Sequence, residues 1–162
     1  MEEYKVLITT SGTGSRLGDL TKYTNKSLVR VGDKPTLSYI IELYPKSTNF
    51  VVTLGHFGDH VRQFLELAYP DINFTFVIID NYEGYGSSLG YSILQTKKYL
   101  QCSFIYHASD TIIKNPSTIP PLEYNWVSYS KKEDFSPYAT LRISGDYLEE
   151  ILDKGDLNSN LC

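Results

Sequence analysis

The stretch that decides the fold lies near the start of the chain and reads Ile8-Thr9-Thr10-Ser11-Gly12-Thr13-Gly14-Ser15-Arg16, with Lys26 ten residues further on. It follows directly on an apolar strand pattern. Glycines let a backbone approach a ligand and point its N–H groups inward, and the start of a following helix adds a positive dipole end. With Arg16 and Lys26 as cations, the stretch predicts a site for a nucleoside triphosphate.

Two common nucleotide motifs do not fit this stretch. Gly12 and Gly14 are one residue apart and no Gly-Lys-Ser/Thr follows, which excludes a Walker A loop. The dinucleotide fingerprint fails because Leu17 stands where its third glycine belongs, and no clear strand with an acidic end arrives about twenty residues later. An ordinary turn after a strand is the remaining alternative.

The surrounding residues resemble the sugar-phosphate nucleotidylyltransferase family, whose pattern is similar to LAAGxGTRLxPLTxxxPKxL followed by KPxxxY. The residues here that align with it are Thr9-Thr10-Ser11-Gly12-Thr13-Gly14-Ser15-Arg16-Leu17-Gly18-Asp19-Leu20-Thr21-Lys22-Tyr23-Thr24-Asn25-Lys26-Ser27-Leu28 and Lys34-Pro35-Thr36-Leu37-Ser38-Tyr39. Asp19 and Asn25 replace the two prolines, which predicts a less rigid loop.

The resemblance implies an α/β fold, a Rossmann-like three-layer sandwich with a mostly parallel central sheet. It also implies a Mg²⁺-dependent enzyme that joins a nucleoside triphosphate and a sugar 1-phosphate into a nucleotide sugar and pyrophosphate. The roles it implies are catalysis for Arg16, Lys26 and Asp110, and nucleotide binding for Thr10, Ser11, Gly12, Thr13, Gly14, Ser15, Gly86, Ser87 and Ser88. Because the family's core is longer, we expect residues 1–162 to form one domain that is incomplete at its acceptor-binding end.

Composition narrows the function further. The 162 residues are 41% hydrophobic and carry a net charge of −4, so a nucleic-acid partner is not expected. No apolar run reaches the eighteen or so residues of a membrane span, and the N-terminus lacks the basic start of a signal peptide, so we expect a cytoplasmic protein without a membrane partner. A further domain or a homo-oligomer stays open.

Apolar runs that alternate with helical patterns predict a mostly parallel sheet with crossover helices. The predicted strands are Lys5–Thr10, Phe50–Leu54, Phe74–Ile79, Ser103–His107, Trp126–Ser130 and Ala139–Ile143. The predicted helices begin at Lys34-Pro35 and end near Pro45, run from about Gly58 to Ala68, and begin at Ser87 or Ser88 and extend to Leu100.

Two further segments follow strand ends and are expected to reach the same crevice. Ser109-Asp110 resembles the family's Gly-Asp, and the match implies that Asp110 holds Mg²⁺ against the phosphates; a simple turn is the alternative. Gly86, Ser87 and Ser88 resemble the base-recognition region, and here the alternative is a helix cap.

Lys154 is the last candidate, and the resemblance implies that it binds the acceptor phosphate; a solvated surface charge is the alternative. Two other functions stay open for the chain as a whole. One is a cytidylyltransferase that acts on a non-sugar phosphate or phosphonate, and the other is a non-catalytic nucleotide-binding domain.

Overall fold

A computed structural model of the chain describes residues 4–115, 119–120, 123–131 and 139–152. The chain forms two compact units, Met1–Ile119 and Pro120–Cys162. The strands of the first unit are β1 (Lys5–Thr9), β2 (Arg30–Val31), β3 (Lys34–Pro35), β4 (Asn49–Leu54), β5 (Asn73–Ile78) and β6 (Phe104–Ala108). Its α-helices are α1 (Thr36–Ile41), α2 (Gly58–Ala68) and α3 (Leu89–Gln95), and its 3₁₀ helices are Ser15–Thr21, Lys26–Leu28 and Lys97–Tyr99.

The first unit is built on a parallel sheet in the order β5-β4-β1-β6. Consecutive apolar residues on the central strands are buried on both faces, as the alternation of side chains along a strand requires. One face packs Leu7 and Val51 against Ile93 and other residues around α3. The predicted fold class is confirmed, because a mostly parallel sheet flanked by helices is what the structure shows.

The strand order changes direction at β1. The chain runs from β1 outward to β4 and β5, and then returns to place β6 on the other side of β1. In open α/β sheets, ligands bind beyond the carboxyl ends of the strands at such a switch in order. The carboxyl ends of β1 and β6 are therefore the expected place for a ligand.

Most predicted elements of the first unit are found within a residue or two, and α2 has the predicted bounds. Two helices differ from the prediction. Lys34 and Pro35 do not begin a helix: they pair with Arg30 and Val31 as a short hairpin, and α1 starts at Thr36 and ends at Ile41. The third helix stops at Gln95, before Leu100, and a 3₁₀ turn follows.

The second unit contains an antiparallel hairpin of β7 (Thr140–Ser144) and β8 (Tyr147–Leu152), which turns at Gly145 with a φ of 59°. β7 matches the predicted strand Ala139–Ile143. The prediction of a strand at Trp126–Ser130 is wrong, since residues 123–131 hold no strand. An apolar run forms a strand only where a neighbour pairs with its N–H and C=O groups, and in the described part of this unit β7 and β8 pair with each other. A single domain over residues 1–162 stays a prediction.

Candidate functional site

The loop after β1, residues 10–28 and called the N-terminal loop below, begins as a fixed extension of the sheet. Thr10 and Ser11 are buried. The Thr10 backbone N–H donates to Thr53 Oγ1 at 3.2 Å, and the Thr10 hydroxyl donates to the Thr53 carbonyl at 2.5 Å. The His56 backbone N–H donates to the Ser11 carbonyl at 2.9 Å. The first residues of the predicted phosphate site are thus anchored to β4 and to the turn that follows it.

The two glycines of this loop meet different surroundings. Gly12 is exposed, and a Cβ atom placed on it would contact nothing within 4 Å. Gly14 has a φ of 67°, and a Cβ atom there would lie 2.8 Å from Lys26 Cβ. Gly12 therefore leaves open space beside the backbone, where a ligand has room to approach, whereas Gly14 is required by the turn itself.

The helix expected after the glycines is a 3₁₀ helix and not an α-helix. Residues Ser15–Thr21 form a 3₁₀ helix that is interrupted at Gly18, with a φ of 54° and ψ of −126°. A short, broken 3₁₀ helix does not align its peptide dipoles as an α-helix does. The predicted contribution from the dipole of an α-helix is therefore absent, and the N–H groups and side-chain cations are what remain for a polyanion.

Lys26 and Asp110 come together at the switch in strand order. Lys26 Nζ lies 2.9 Å from Asp110 Oδ2, and the two side chains are 25% and 65% exposed. Burial by itself raises the pKa of Asp110. The hydrogen bond and charge of Lys26 lower it, as do the backbone N–H of Asp110 and the charge of Arg16. These effects outweigh burial, so the pKa lies below its ordinary value of 3.8. Three of the predicted residues, Arg16, Lys26 and Asp110, thus lie within electrostatic reach of one another.

The turn that carries Asp110 is held by a buried histidine. His107, at the end of β6, is buried between the Tyr44 hydroxyl and the Thr111 carbonyl, each 2.9 Å from a ring nitrogen. A carbonyl only accepts, so Nε2 carries the proton and Nδ1 accepts from Tyr44. Burial lowers the pKa of His107 and keeps this neutral arrangement. The turn predicted as the alternative at Asp110 is present as well, because the Thr111 N–H donates to the Ala108 carbonyl at 3.0 Å.

The loop after β5, residues 79–88 and called the β5 loop below, lies largely exposed and is bonded within itself. The Ser87 hydroxyl donates to the Gly84 carbonyl at 2.7 Å. Ser88 Oγ accepts from the Tyr91 N–H at 3.0 Å and caps α3, so the helix-cap alternative is confirmed for Ser88. Gly86 has a φ of 81°. A nucleotide-binding role for the three residues stays a prediction.

The β5 loop and α3 reach the N-terminal loop through other residues. Ser92 Oγ on α3 lies 3.2 Å from Ser11 Oγ, and both side chains are buried. Gly55 lets Tyr82 and Ser11 pack closely, since a Cβ atom there would lie 2.8 Å from Tyr82 Cγ and 2.5 Å from the Ser11 carbonyl. The predicted convergence thus runs through Ser92 and Tyr82.

Three further predictions concern Lys154, a metal ion and a membrane span. Lys154 lies outside the described residues. Within those residues no group of three or more His, Cys, Asp or Glu side chains is arranged to hold a metal ion. Across the same parts of the chain, no helix has both the length and the apolar character that crossing a bilayer requires.

The second unit has a cavity of about 500 Å³ of its own. Its lining includes three aromatic side chains and one carboxylate: Trp126, Tyr129, Tyr147 and Asp146. Aromatic faces together with a negative charge are groups that bind organic cations. None of the residues predicted for the nucleotide site lines this cavity.

Comparison with known proteins gives a curated relative and a set of similar structures. The choline-phosphate cytidylyltransferase of Streptococcus pneumoniae (strain ATCC BAA-255 / R6) is 30% identical over 112 residues, which are 68% of this chain and 47% of that protein. The chain thus spans about half the length of the curated relative it matches. No family model matches the chain.

Two solved structures illustrate the structural likeness. The CTP:phosphocholine cytidylyltransferase from Streptococcus pneumoniae has a TM-score of 0.73 at 24% identity, over 93% of this chain and 64% of that one. A UDP-glucose pyrophosphorylase complexed with UDP-glucose has a TM-score of 0.68 at 17% identity, over 95% and 69%. The predicted resemblance to nucleotidyltransferases is therefore confirmed, and at these identities it is the fold that the structures share.

Proposed function

We propose that this chain, which has the fold of nucleotidyltransferases, transfers a nucleotidyl group from a nucleoside triphosphate to a phosphate-bearing acceptor and releases pyrophosphate. The observation that carries the proposal is the Lys26–Asp110 pair, 2.9 Å apart, at the carboxyl ends of the two strands where the sheet order switches. In the same loop as Lys26, the exposed Gly12 leaves space for a polyanion. The 30% identical relative supports the same reaction class.

The chemistry needs no nucleophile from the protein. An anionic oxygen of the acceptor phosphate attacks the α-phosphorus in line, a new phosphorus–oxygen bond forms, and the bond to the β-phosphate oxygen breaks to release pyrophosphate. Negative charge gathers around the α-phosphorus, and enzymes lower such barriers mainly by positioning and electrostatic stabilisation. Lys26 and Arg16 would neutralise phosphate oxygens, while backbone N–H groups from Ser11 to Ser15 would donate to them.

Mg²⁺ is the proposed cofactor. Asp110 fits the ion, because its side chain is largely exposed at the strand end and magnesium is usually held by one or two carboxylates together with substrate phosphates. Bound there with the triphosphate, Mg²⁺ would supply further neutralisation of phosphate charge. When the triphosphate binds, Lys26 would exchange its partner Asp110 for a phosphate oxygen.

The acceptor has two comparable candidates. A sugar 1-phosphate is supported by the resemblance of the N-terminal motif, and phosphocholine with CTP is supported by the curated relative, which is named for that activity. A reaction of this kind fits the predicted cytoplasmic location, which stays a prediction.

The test is an acceptor panel. The full chain is incubated with Mg²⁺, each of the four common nucleoside triphosphates and, in turn, sugar 1-phosphates, phosphocholine and a phosphonate, and pyrophosphate release is measured. We expect one pairing to release pyrophosphate and Lys26→Ala to abolish most of it. Triphosphate binding without pyrophosphate release would instead favour the non-catalytic nucleotide-binding alternative.

A further inference from the structure

Asn25 stands where the nucleotidylyltransferase family that the motif resembles has a proline. Its side chain is fully buried, and each of its hydrogen-bonding positions has a partner. Nδ2 donates to the Thr10 carbonyl at 2.7 Å and to the His56 carbonyl at 2.6 Å. Oδ1 accepts from the Ser27 N–H at 2.9 Å and from the Ser27 hydroxyl at 2.8 Å. A carboxamide has two N–H donors and two acceptor positions, so this site requires an amide.

The four bonds join three parts of the predicted site. Thr10 begins the N-terminal loop at the end of β1, and His56 follows the end of β4. Ser27 is the neighbour of Lys26 in the 3₁₀ turn Lys26–Leu28, which Asn25 caps. One side chain therefore fixes the turn that carries Lys26 to two adjacent strand ends. The sequence predicted a less rigid loop where the proline is lost; four hydrogen bonds hold Asn25 at this position, and the rigidity of the loop stays a prediction.

The backbone conformation of Asn25 distinguishes the effect of a proline ring at this position from the effect of the side-chain amide. Asn25 has a φ of −71° and a ψ of 144°, which a proline adopts without strain. Proline would preserve this backbone conformation. It would leave the Thr10 and His56 carbonyls without the N–H donors of Asn25. Aspartate would keep the acceptor atoms and lose both donors. The amide itself, rather than the local backbone conformation, is thus what joins the strand ends.

We infer that Asn25 is a positioning residue, which sets Lys26 and the N–H groups beside Gly12 in place for the triphosphate. This inference rests on the proposed function. Asn25 touches neither phosphate nor metal in this account and acts through Lys26 and the Thr10 backbone. Removing its donors should let the Lys26 turn and the N-terminal loop shift relative to each other.

The experiment compares the full-length wild type with Asn25→Asp, Asn25→Pro and the control Asp19→Ala, which changes the other, exposed proline replacement. Steady-state pyrophosphate release gives kcat and KM, and calorimetry with Mg²⁺ and each of the four common nucleoside triphosphates, CTP included, gives affinity. For both Asn25 variants we expect kcat to fall between about tenfold and a hundredfold, as when reacting groups shift by about an ångström. The acceptor KM of both Asn25 variants should stay within about twofold of wild type. For Asp19→Ala, kcat, KM and triphosphate affinity should all stay within about twofold.

The outcomes separate this inference from the proposed function. If wild type releases pyrophosphate and a folded Asn25 variant keeps kcat within twofold, the positioning role is overturned while the proposed function stands. If wild type binds CTP but transfers nothing, nucleotidyl transfer fails, and the variants must still show weakened CTP binding for Asn25 to keep its role. Wild type that binds no triphosphate overturns both.

A spectroscopic measurement covers the case in which the variants unfold. In wild type labelled with ¹⁵N, the Asn25 side-chain N–H₂ signals should exchange slowly with solvent and shift when CTP and Mg²⁺ are added, because their Thr10 acceptor borders the loop that binds phosphate. Rapid exchange, or signals that do not move on saturation with a triphosphate that calorimetry shows to bind, would overturn the inference.

Discussion

The N-terminal loop and the β5 loop follow strands of the same sheet, and they are held in different ways. The N-terminal loop is tied to residues far away in sequence by the buried bond from Thr10 to Thr53 and by the exposed ion pair of Lys26 with Asp110. The β5 loop is held mainly by neighbours, with Asn81 Nδ2 donating to the Tyr85 carbonyl at 3.2 Å and Ser87 to the Gly84 carbonyl at 2.7 Å. Preorganised charge stabilisation depends on fixed donors, so we expect the N-terminal loop to be the preformed part of the proposed site and the β5 loop to be the adaptable part.

The largest expected effect breaks the charge arrangement of the N-terminal loop. We predict that Arg16→Ala or Lys26→Ala lowers turnover by about a hundredfold or more, the scale seen when one preorganised charge-stabilising group is removed. Lys22→Ala is the matched control, because Lys22 is an exposed cation of the same loop whose Nζ lies 5.2 Å from the Tyr23 ring centroid. Pyrophosphate release measures both, and turnover within twofold for Arg16→Ala and Lys26→Ala would remove these residues from the proposed role.

The two glycines give the next contrast within the N-terminal loop. Gly14→Ala should destabilise the protein by about 1–3 kcal/mol, because alanine is strained at a positive φ and its Cβ would overlap Lys26. Gly12→Ala should change stability by less than about 0.5 kcal/mol, as an exposed substitution does, and weaken triphosphate binding about tenfold, or about 1.4 kcal/mol. Thermal unfolding and calorimetry separate the two, and equal stability losses would contradict the assignment of their roles.

In the β5 loop the corresponding change should act on stability more than on turnover. Ser88→Ala removes the cap of α3 and should cost about 1 kcal/mol, measured by denaturant unfolding. Ser87→Ala is the control, since its hydroxyl bonds only within the exposed loop and should matter by less than about 0.5 kcal/mol. A loss of turnover near a hundredfold for either serine would show that this loop is part of the preformed site after all.

The smallest expected effect concerns two carboxylates, one beside each loop. Lys26→Met should raise the pKa of Asp110, since Lys26 supplies the largest of the interactions that lower it, and should leave Asp80 unchanged. Tyr91→Phe should do the converse, because the Tyr91 hydroxyl is the main cause that lowers the pKa of Asp80. Carboxyl ¹³C titration of the wild type and both variants measures the two values.

The pH dependence follows from these lowered pKa values. A carboxyl group with a lower pKa in the folded state stabilises the protein above its ordinary pKa, near 3.9, and loses that stabilisation as the pH falls through the folded value. We therefore expect Lys26→Met to flatten the acid side of the stability curve. A curve identical to that of wild type below pH 4 would show that the ion pair does not couple to folding.

Much of the architecture could be predicted from local pattern. The parallel strands, five or six residues long, follow from short apolar runs, and α2 follows from an amphipathic period bounded by Gly58 and Pro70. The failures share a cause. Trp126–Ser130 has a strand-like pattern without a paired strand among the described residues, and Lys34-Pro35 has a helix-start pattern that hairpin pairing overrides. Pairing between distant segments is not written in either segment alone.

The sequence by itself determined the sheet, the turn glycines and the side chains that bring charge to the strand ends, because each depends on residue type and short-range spacing. Only the tertiary structure decided how they meet. It placed Lys26 against Asp110, 84 residues apart in the chain, and gave Asn25 two carbonyl partners from different strand ends. The physical reason is that a polar side chain bonds whichever group the fold buries beside it, and that neighbour is set by strand order rather than by the adjacent residues.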